Sequence, residues 1–336
     1  MNAFDLDTPA VYVDLDVLER NIRAMQERCR AWNVGLRPHT KTHKIPEIAR
    51  MQLAAGAIGI TVAKVGEAEV LPGDDVLIAY PLPASKLARV RDLMKTRRVM
   101  VALDSVEAAR GLPGVPALVE VEVGVGRCGV QTSEDLVRVA QACSDFRGIF
   151  YWPSWLDEDG FAKARARIDA HIAALKAAGF ETKVLSGGST PGAGKTPLIP
   201  RTTEIRPGTY VFYDASSMEA RCAVEADCAL RVLVTVVSTA VPGQAVIDGG
   251  SKTFSNDVTK GPGTHGHFVG RPWSMSKMNE EHGYVTLQGA APRVGEKVWV
   301  IPSHVCTTVN MHDEIHYGRD GRVEGAWKVA ARGRVR

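Results

Sequence analysis

Between residue 30 and about residue 215, short runs of β-forming residues alternate with longer stretches whose apolar positions recur every three or four residues. The short runs, at 35–38, 59–62, 76–80, 99–103, 117–123, 149–151, 182–185 and 203–206, predict eight strands. Stretches at 45–54, 63–71, 84–94, 134–143 and 161–178 predict amphipathic helices between them. Eight strand–helix units predict an α/β fold of the (β/α)8 TIM-barrel type rather than an open sheet. No glycine-rich dinucleotide fingerprint opens the first unit, which lowers the doubly wound alternative. After about residue 225 the texture changes. Runs at 231–237, 245–248, 284–288, 297–301, 314–317 and 326–330 are separated by turn residues, with no convincing helix. They predict a separate antiparallel β domain. The run 10–14 precedes a clear helix at 17–32 and could join that domain. The expected division is a barrel over 15–225 and a β domain over 226–336, with residues 1–14 able to add a strand. The Gly/Pro-rich stretch 260–272, with His265 and His267, reads as a surface loop or a mobile loop near a site.

Composition narrows the class without choosing a function. The chain has 336 residues, 45% hydrophobic and 24% charged, enough for one large domain or two ordinary ones. A net charge of +3, with no basic run interleaved with aromatics, argues against a nucleic-acid partner. No window approaches a membrane span, and the first residues lack the charge and apolar pattern of a signal peptide, so a cytoplasmic protein with no membrane partner is expected. The six cysteines are irregularly spaced and do not suggest a disulfide framework; most are expected to be buried small apolar residues.

Candidate chemistry collects after the predicted strands, where barrels of this type carry it. The octapeptide Arg37-Pro38-His39-Thr40-Lys41-Thr42-His43-Lys44 follows the first strand. Positive neighbours disfavour a further ammonium charge, and a lysine amine can form a Schiff base with a carbonyl, as it does with pyridoxal phosphate. A solvated basic loop is the bland alternative. Arg127 follows strand five, between glycines, as a turn-exposed arginine or a partner for a cofactor oxygen. Ser186-Gly187-Gly188-Ser189-Thr190 and Gly208-Thr209-Tyr210 follow strands seven and eight. There, glycine N–H groups and hydroxyls suit phosphate, although ordinary turns use the same residues. In the β domain, the run 301–306 reads as a strand that places His304 and Cys306 on one face. Imidazole and thiolate suit zinc, with water or substrate completing an open site. An incidental cysteine in a half-buried strand is the alternative. Two further motifs, Asp248-Gly249-Gly250-Ser251-Lys252 and Asn279-Glu280-Glu281-His282-Gly283, read either as turns or as ligand-facing loops.

Taken together and in order, these segments, with Gly126-Arg127-Cys128-Gly129-Val130 and His304-Val305-Cys306-Thr307-Thr308-Val309-Asn310, resemble the D-serine dehydratase and D-threonine aldolase family. The resemblance covers nearly the whole chain. It implies an alanine-racemase-like barrel with a β domain, and pyridoxal 5'-phosphate as cofactor. It implies that Lys41 is the Schiff-base and catalytic lysine and that Arg127 lies beside the cofactor ring. Gly187, Gly188, Ser189, Gly208, Thr209 and Tyr210 would bind the phosphate. His304 and Cys306 would bind Zn2+ or another divalent metal. A homodimer acting on a small D-amino acid is implied as well. Members with His-x-Cys resemble the zinc dehydratases, and those with His-x-Asp the aldolases. Cys306 therefore tilts the expectation to β-elimination of a D-3-hydroxy amino acid, such as D-serine or D-threonine, to a 2-oxo acid and ammonia. Retro-aldol cleavage to glycine and an aldehyde is the nearest alternative, followed by racemisation and a non-catalytic cofactor carrier. One departure stands out. Where the family often has Tyr followed by Gly-His, this chain has Tyr151-Trp152-Pro153-Ser154-Trp155-Leu156-Asp157, with no histidine before His171. That weakens the aldolase expectation, and the two tryptophans are expected to alter the contact to the cofactor ring and narrow the pocket.

Overall fold

A computed structural model describes residues 1–153, 157–261 and 263–336. It contains two compact units: residues 24–41, 48–208 and 334–336 form one, and residues 1–23, 42–47 and 209–333 the other.

The first unit is built on eight parallel strands. In spatial order they are Gly35–Leu36, Glu204–Ile205, Val184–Gly187, Asp145–Tyr151, Pro116–Val121, Arg98–Leu103, Asp75–Pro81 and Ile60–Val62. A parallel bridge between His39 and Thr61 joins the two ends, supported by Thr61 N–H donating to Pro38 O at 2.8 Å. The barrel predicted from periodicity is therefore present, with strand ends that coincide or shift by up to four residues. Ser105, Thr132 and Asp157 cap the helices Val106–Gly111, Ser133–Ala142 and Glu158–Ala177 by accepting the backbone N–H three residues on. Leu77, Ala102, Leu118 and Phe150 pack as one apolar cluster on this sheet. Further along, strand register sets Glu120, Phe150, Ser186 and Glu204 side by side in one row across four neighbouring strands.

That row is charged and buried. Arg206 stacks on Phe150 at 3.7 Å and donates to Ser186 Oγ at 2.6 Å and Tyr151 O at 2.8 Å. Ser186 Oγ donates to Glu204 Oε1 at 2.6 Å, and Glu204 Oε2 takes Arg37 Nε at 2.9 Å. Arg37 Nη1 reaches Asp75 Oδ1 at 2.5 Å. Burial pushes the Arg206 guanidinium down to about 10, against the opposing pull of Glu204 and Glu120. It remains a cation at neutral pH.

The second unit holds nine strands in the order Gln244–Ile247, Gly283–Thr286, Ser274–Met278, Gly266–Phe268, Lys297–Pro302, Leu230–Ser238, Ala10–Asp14, Glu314–Arg319 and Arg322–Lys328. Leu230–Ser238 also pairs with Gln244–Ile247, so six of the strands close on themselves. Ala10–Asp14 lies between Leu230–Ser238 and Glu314–Arg319, antiparallel to the first and parallel to the second. Two sequence expectations fail here. The stretch 260–272 is not simply a loop, because Gly266–Phe268 is an interior strand paired with Lys297–Pro302 and Ser274–Met278. Short helices also occur, at Ser251–Phe254 and Val305–Met311. At four and seven residues, they are too short for periodicity to reveal.

None of the six cysteines is in a disulfide, and only Cys29 and Cys228 are fully buried, so the expectation that most would be core residues does not hold. Among the described residues, no helix is long and apolar enough to cross a membrane.

Candidate active site

The basic octapeptide separates into residues with different tasks. Arg37 is neutralised by Glu204 and Asp75. The buried His43 ring accepts the Ile45 N–H through Nδ1 at 3.0 Å. Lys44 adopts a left-handed backbone (φ 55°), is buried, and gives its Nζ to Asn310 Oδ1 at 2.8 Å. Lys41 differs from all of these. It sits in the turn Thr40–Thr42 at the C-terminal end of the first barrel strand, exposed, with no hydrogen bond or ion pair among the described residues. Of the two lysines, only Lys41 presents an uncommitted amine.

Arg127 is held by two groups. Its Nη2 donates to Glu120 Oε1 at 3.0 Å, its guanidinium lies 4.2 Å from the Trp152 ring centroid, and half of its side chain stays exposed. The turn that carries it is fixed by Glu122, whose Oε1 accepts the N–H groups of Gly124 at 2.6 Å, of Gly126 at 2.9 Å, and of Val125. Arg167 clamps the same carboxylate through Oε2 at 2.8 Å. Burial works to raise the Glu122 carboxyl, but these N–H groups and Arg167 outweigh it and hold it below the usual range. The departure at Tyr151-Trp152 therefore has a structural meaning: Trp152 supplies the flat surface on which Arg127 rests. Trp155 lies outside the described residues.

The glycines after strand seven are buried. A Cβ on Gly187 would fall 1.9 Å from the Tyr151 ring, and one on Gly188 (φ 83°) would fall 2.8 Å from Ile205 Cβ. Tyr151 is itself pinned there by a 2.7 Å hydrogen bond to Thr202. These glycines are thus required by the packing of Tyr151 and Ile205, whatever else their N–H groups hold. Ser189 Oγ accepts the Gly192 N–H at 3.1 Å. Gly208 ends the barrel segment, and Thr209 opens the turn Thr209–Val211 in the second unit. Tyr210, expected beside phosphate, is fully buried. Thr209 Oγ1 instead lies 3.8 Å from Cys306 Sγ.

His304 and Cys306 do come together, though not by strand alternation. The strand ends at Pro302, His304 is the residue before the helix Val305–Met311, and Cys306 is in its first turn. The switch from strand to helix replaces the predicted common strand face. Asp214, 1% exposed at its side chain, organises this junction. Its Oδ1 caps the helix Ala215–Glu219 through Ser217 N at 2.8 Å, and its Oδ2 takes His304 Nδ1 at 3.0 Å and Val305 N at 3.2 Å. Cys306 Sγ lies within hydrogen-bond reach of Thr42 Oγ1, at 3.2 Å. The negative charge of Cys306 and then the Asp214 carboxylate hold the His304 imidazolium well above the usual histidine range. With Nδ1 committed to Asp214, Nε2 is the ring nitrogen left to a metal, the carboxylate–histidine arrangement that metal ligands use. The donor set suits a borderline-soft divalent ion with open positions. Among the described residues, no group of three or more His, Cys, Asp or Glu is placed to hold one. Asp214, Glu120 and Glu122 lie outside the residues singled out in the sequence. Asp214 meets His304 from far along the chain, and although Glu120 and Glu122 have partners nearby in sequence, no motif marks them.

The two ambiguous glycine and glutamate motifs explain each other. Ser251 N donates to Asn279 O at 2.9 Å, and Lys252 Nζ pairs with Glu280 at 2.8 Å and Glu281 at 2.9 Å. Ser251, Asn279, Glu280 and Glu281 line an open cavity of about 530 Å³ with Asn256, Met278 and His282.

Fold and site together define an alanine-racemase-like protein. A model of the alanine racemase N-terminal domain matches residues 13–216, and one of the putative serine dehydratase domain matches residues 229–317. A D-threonine aldolase from Arthrobacter sp. is 34% identical over 98% of this chain and 93% of its own. A D-threo-3-hydroxyaspartate dehydratase from Delftia sp. is 30% identical over 90% and 92%. A D-threo-3-hydroxyaspartate dehydratase solved as a Cys-to-Ala variant in the metal-free form superposes with a TM-score of 0.90 at 29% identity, covering 98% of each chain. The chain belongs to the D-serine dehydratase and D-threonine aldolase family of lyases, as its motifs suggested.

Proposed function

We propose that the protein is a pyridoxal-phosphate- and zinc-dependent lyase that eliminates water from a D-3-hydroxy amino acid, the resulting enamine then taking up water to give a 2-oxo acid and ammonia. The observation that carries this reading is the Cys306–His304–Asp214 arrangement, a soft donor pair with an oriented imidazole at a strand-to-helix junction. Family membership supports the cofactor, and the exposed, uncommitted Lys41 fits its attachment. The metal-free Cys-to-Ala form of a dehydratase neighbour supports a metal at the cysteine. Bound pyridoxal phosphate supplies an electron sink for a deprotonated Cα, and a bound divalent metal supplies Lewis acidity toward a hydroxyl.

The chain's own residues have the remaining tasks. Lys41 would carry the cofactor and, once displaced by substrate, take the Cα proton through Nζ. Arg127, fixed between Glu120 and Trp152, would offer its guanidinium to the phenolic oxygen. Main-chain N–H groups at Gly187, Gly188, Ser189 and Gly208, with the Thr209 hydroxyl, would receive the phosphate. His304 Nε2 and Cys306 Sγ would be the metal ligands. Asp214 fixes the histidine tautomer.

Retro-aldol cleavage is a second reading, favoured by one observation: the aldolase match is 34% identical, above the 30% of the dehydratase. Purified protein loaded with pyridoxal phosphate and supplied with D-serine or D-threonine, with and without zinc, separates the two readings. Zinc-dependent 2-oxo acid and ammonia are expected. Glycine and an aldehyde would replace the elimination reading with the aldolase one.

A further inference from the structure

We propose that Lys64, seated on the ring of Tyr80, binds the carboxylate of the amino-acid substrate. The proposal rests on the lyase reading above and adds a group that fixes which substrates are held.

Register places these residues beside Lys41. His39 and Thr61 bridge the first and second barrel strands in sequence, and Lys41 lies two residues past the one while Lys64 lies three past the other. On the next pair of strands Val62 aligns with Ile78, and Lys64 and Tyr80 each lie two residues beyond. Three neighbouring strands therefore release Lys41, Lys64 and Tyr80 at the same C-terminal end, where this fold carries its chemistry.

The local chemistry is that of an anion site. Lys64 Nζ stands 4.1 Å from the Tyr80 ring centroid, and the side chain is partly buried. Among the described residues, no carboxylate pairs with it. Lys95, Lys163 and Lys252, all more exposed, each have an acid partner. An aromatic face orients an ammonium and shields one side of it, but leaves its N–H donors without an acceptor. Burial keeps the Tyr80 phenol protonated at neutral pH, so its hydroxyl is a donor as well. A carboxylate accepts from both. Arg127 is committed to Glu120 and Lys252 to Glu280 and Glu281, so neither is a comparable cation.

The carboxylate is either the α-carboxylate of any amino acid or the distal one of 3-hydroxyaspartate. Steady-state kinetics of the wild-type, Lys64→Met and Lys64→Arg holoenzymes with D-serine and D-3-hydroxyaspartate distinguish them. Loss of a charge-assisted hydrogen bond should raise KM in Lys64→Met by roughly 10- to 100-fold, with a smaller change in kcat and partial recovery in Lys64→Arg. A rise for both substrates identifies the α-carboxylate, and a rise for 3-hydroxyaspartate alone identifies the distal one. Calorimetric titration with malonate, read against thermal melts that confirm folding, tests Lys64 without turnover. Weaker malonate binding by Lys64→Met is expected. Equal malonate affinity in the two proteins, absence of binding to both included, overturns the proposal. If the wild type turns over neither amino acid, the lyase reading fails while the titration still decides the role of Lys64.

Discussion

The parallel sheet buries a row of charge, whereas the antiparallel sheet is buried in valine, leucine and isoleucine. In the first, Arg37, Glu120, Glu204 and Arg206 are all under 5% exposed; Arg37, Glu204 and Arg206 are linked through Ser186, and Glu120 pairs with Arg127 through Oε1. In the second, Val232, Leu233, Val234 and Val236 are fully buried along one strand that pairs on both sides. Buried ions are tolerated only when each is paired and hydrogen-bonded, so the barrel's interior is over-determined. A polar network of this kind fixes the loops it supports. Among the described residues, the antiparallel unit has no comparable row, and a single acid, Asp214, holds His304 and the Val305 N–H at a strand-to-helix junction. Rigidity for chemistry thus comes from a network in one unit and from one capping carboxylate in the other.

The sharpest way to break this comparison is to remove the groups that the supports serve. Lys41→Ala should abolish covalent attachment of the cofactor, read by borohydride reduction and mass spectrometry, and lower turnover by about 1,000-fold or more while the melt stays unchanged. Cys306→Ala should retain the cofactor but lose zinc, measured by elemental analysis, and lose about 100-fold in rate with D-serine. Full rate would remove the metal pair from the mechanism.

Stability tests the network itself. Glu204→Leu leaves the buried Arg37 guanidinium with Asp75 as its remaining carboxylate partner and takes the acceptor from Ser186 Oγ, and should cost about 3 kcal/mol in urea unfolding. A change below about 1 kcal/mol would mean that the row is not rigid. Glu122→Gln is the mildest change. The folded-state pKa of Glu122 is depressed, so its contribution is present above the ordinary carboxylate range and is lost as pH falls through the lowered value. The wild type should lose stability relative to Glu122→Gln over that acidic window. The variant should be the less stable at neutral pH, by about 1 kcal/mol.

Much of the site was legible because its parts are local. Lys41, Arg127 and the Gly187-Gly188 turn each follow a strand that periodicity reveals. What the octapeptide alone left open was which lysine is available. Lys44 was excluded only by Asn310, far along the chain. The His304/Cys306 pair was found for a reason that proved wrong: the two residues share a site because the strand stops at Pro302, not because they alternate along it. Tyr210 shows the converse, a residue carried over by motif that packing has buried completely.

By itself, the sequence determined the eight-strand barrel, the antiparallel unit and the family, and it marked the candidate donors, because periodicity, turn chemistry and ordered motifs are properties of neighbouring residues. Tertiary structure alone decided which charges are neutralised and which remain available. Arg37 was committed by Glu204 and Asp75, Arg127 was laid on Trp152, Asp214 was brought to His304, and Lys64 was set over Tyr80 without an acid partner among the described residues. Such pairings depend on distances between residues remote in the chain, and electrostatic and hydrogen-bond energies fall too steeply with distance for composition or spacing to encode them.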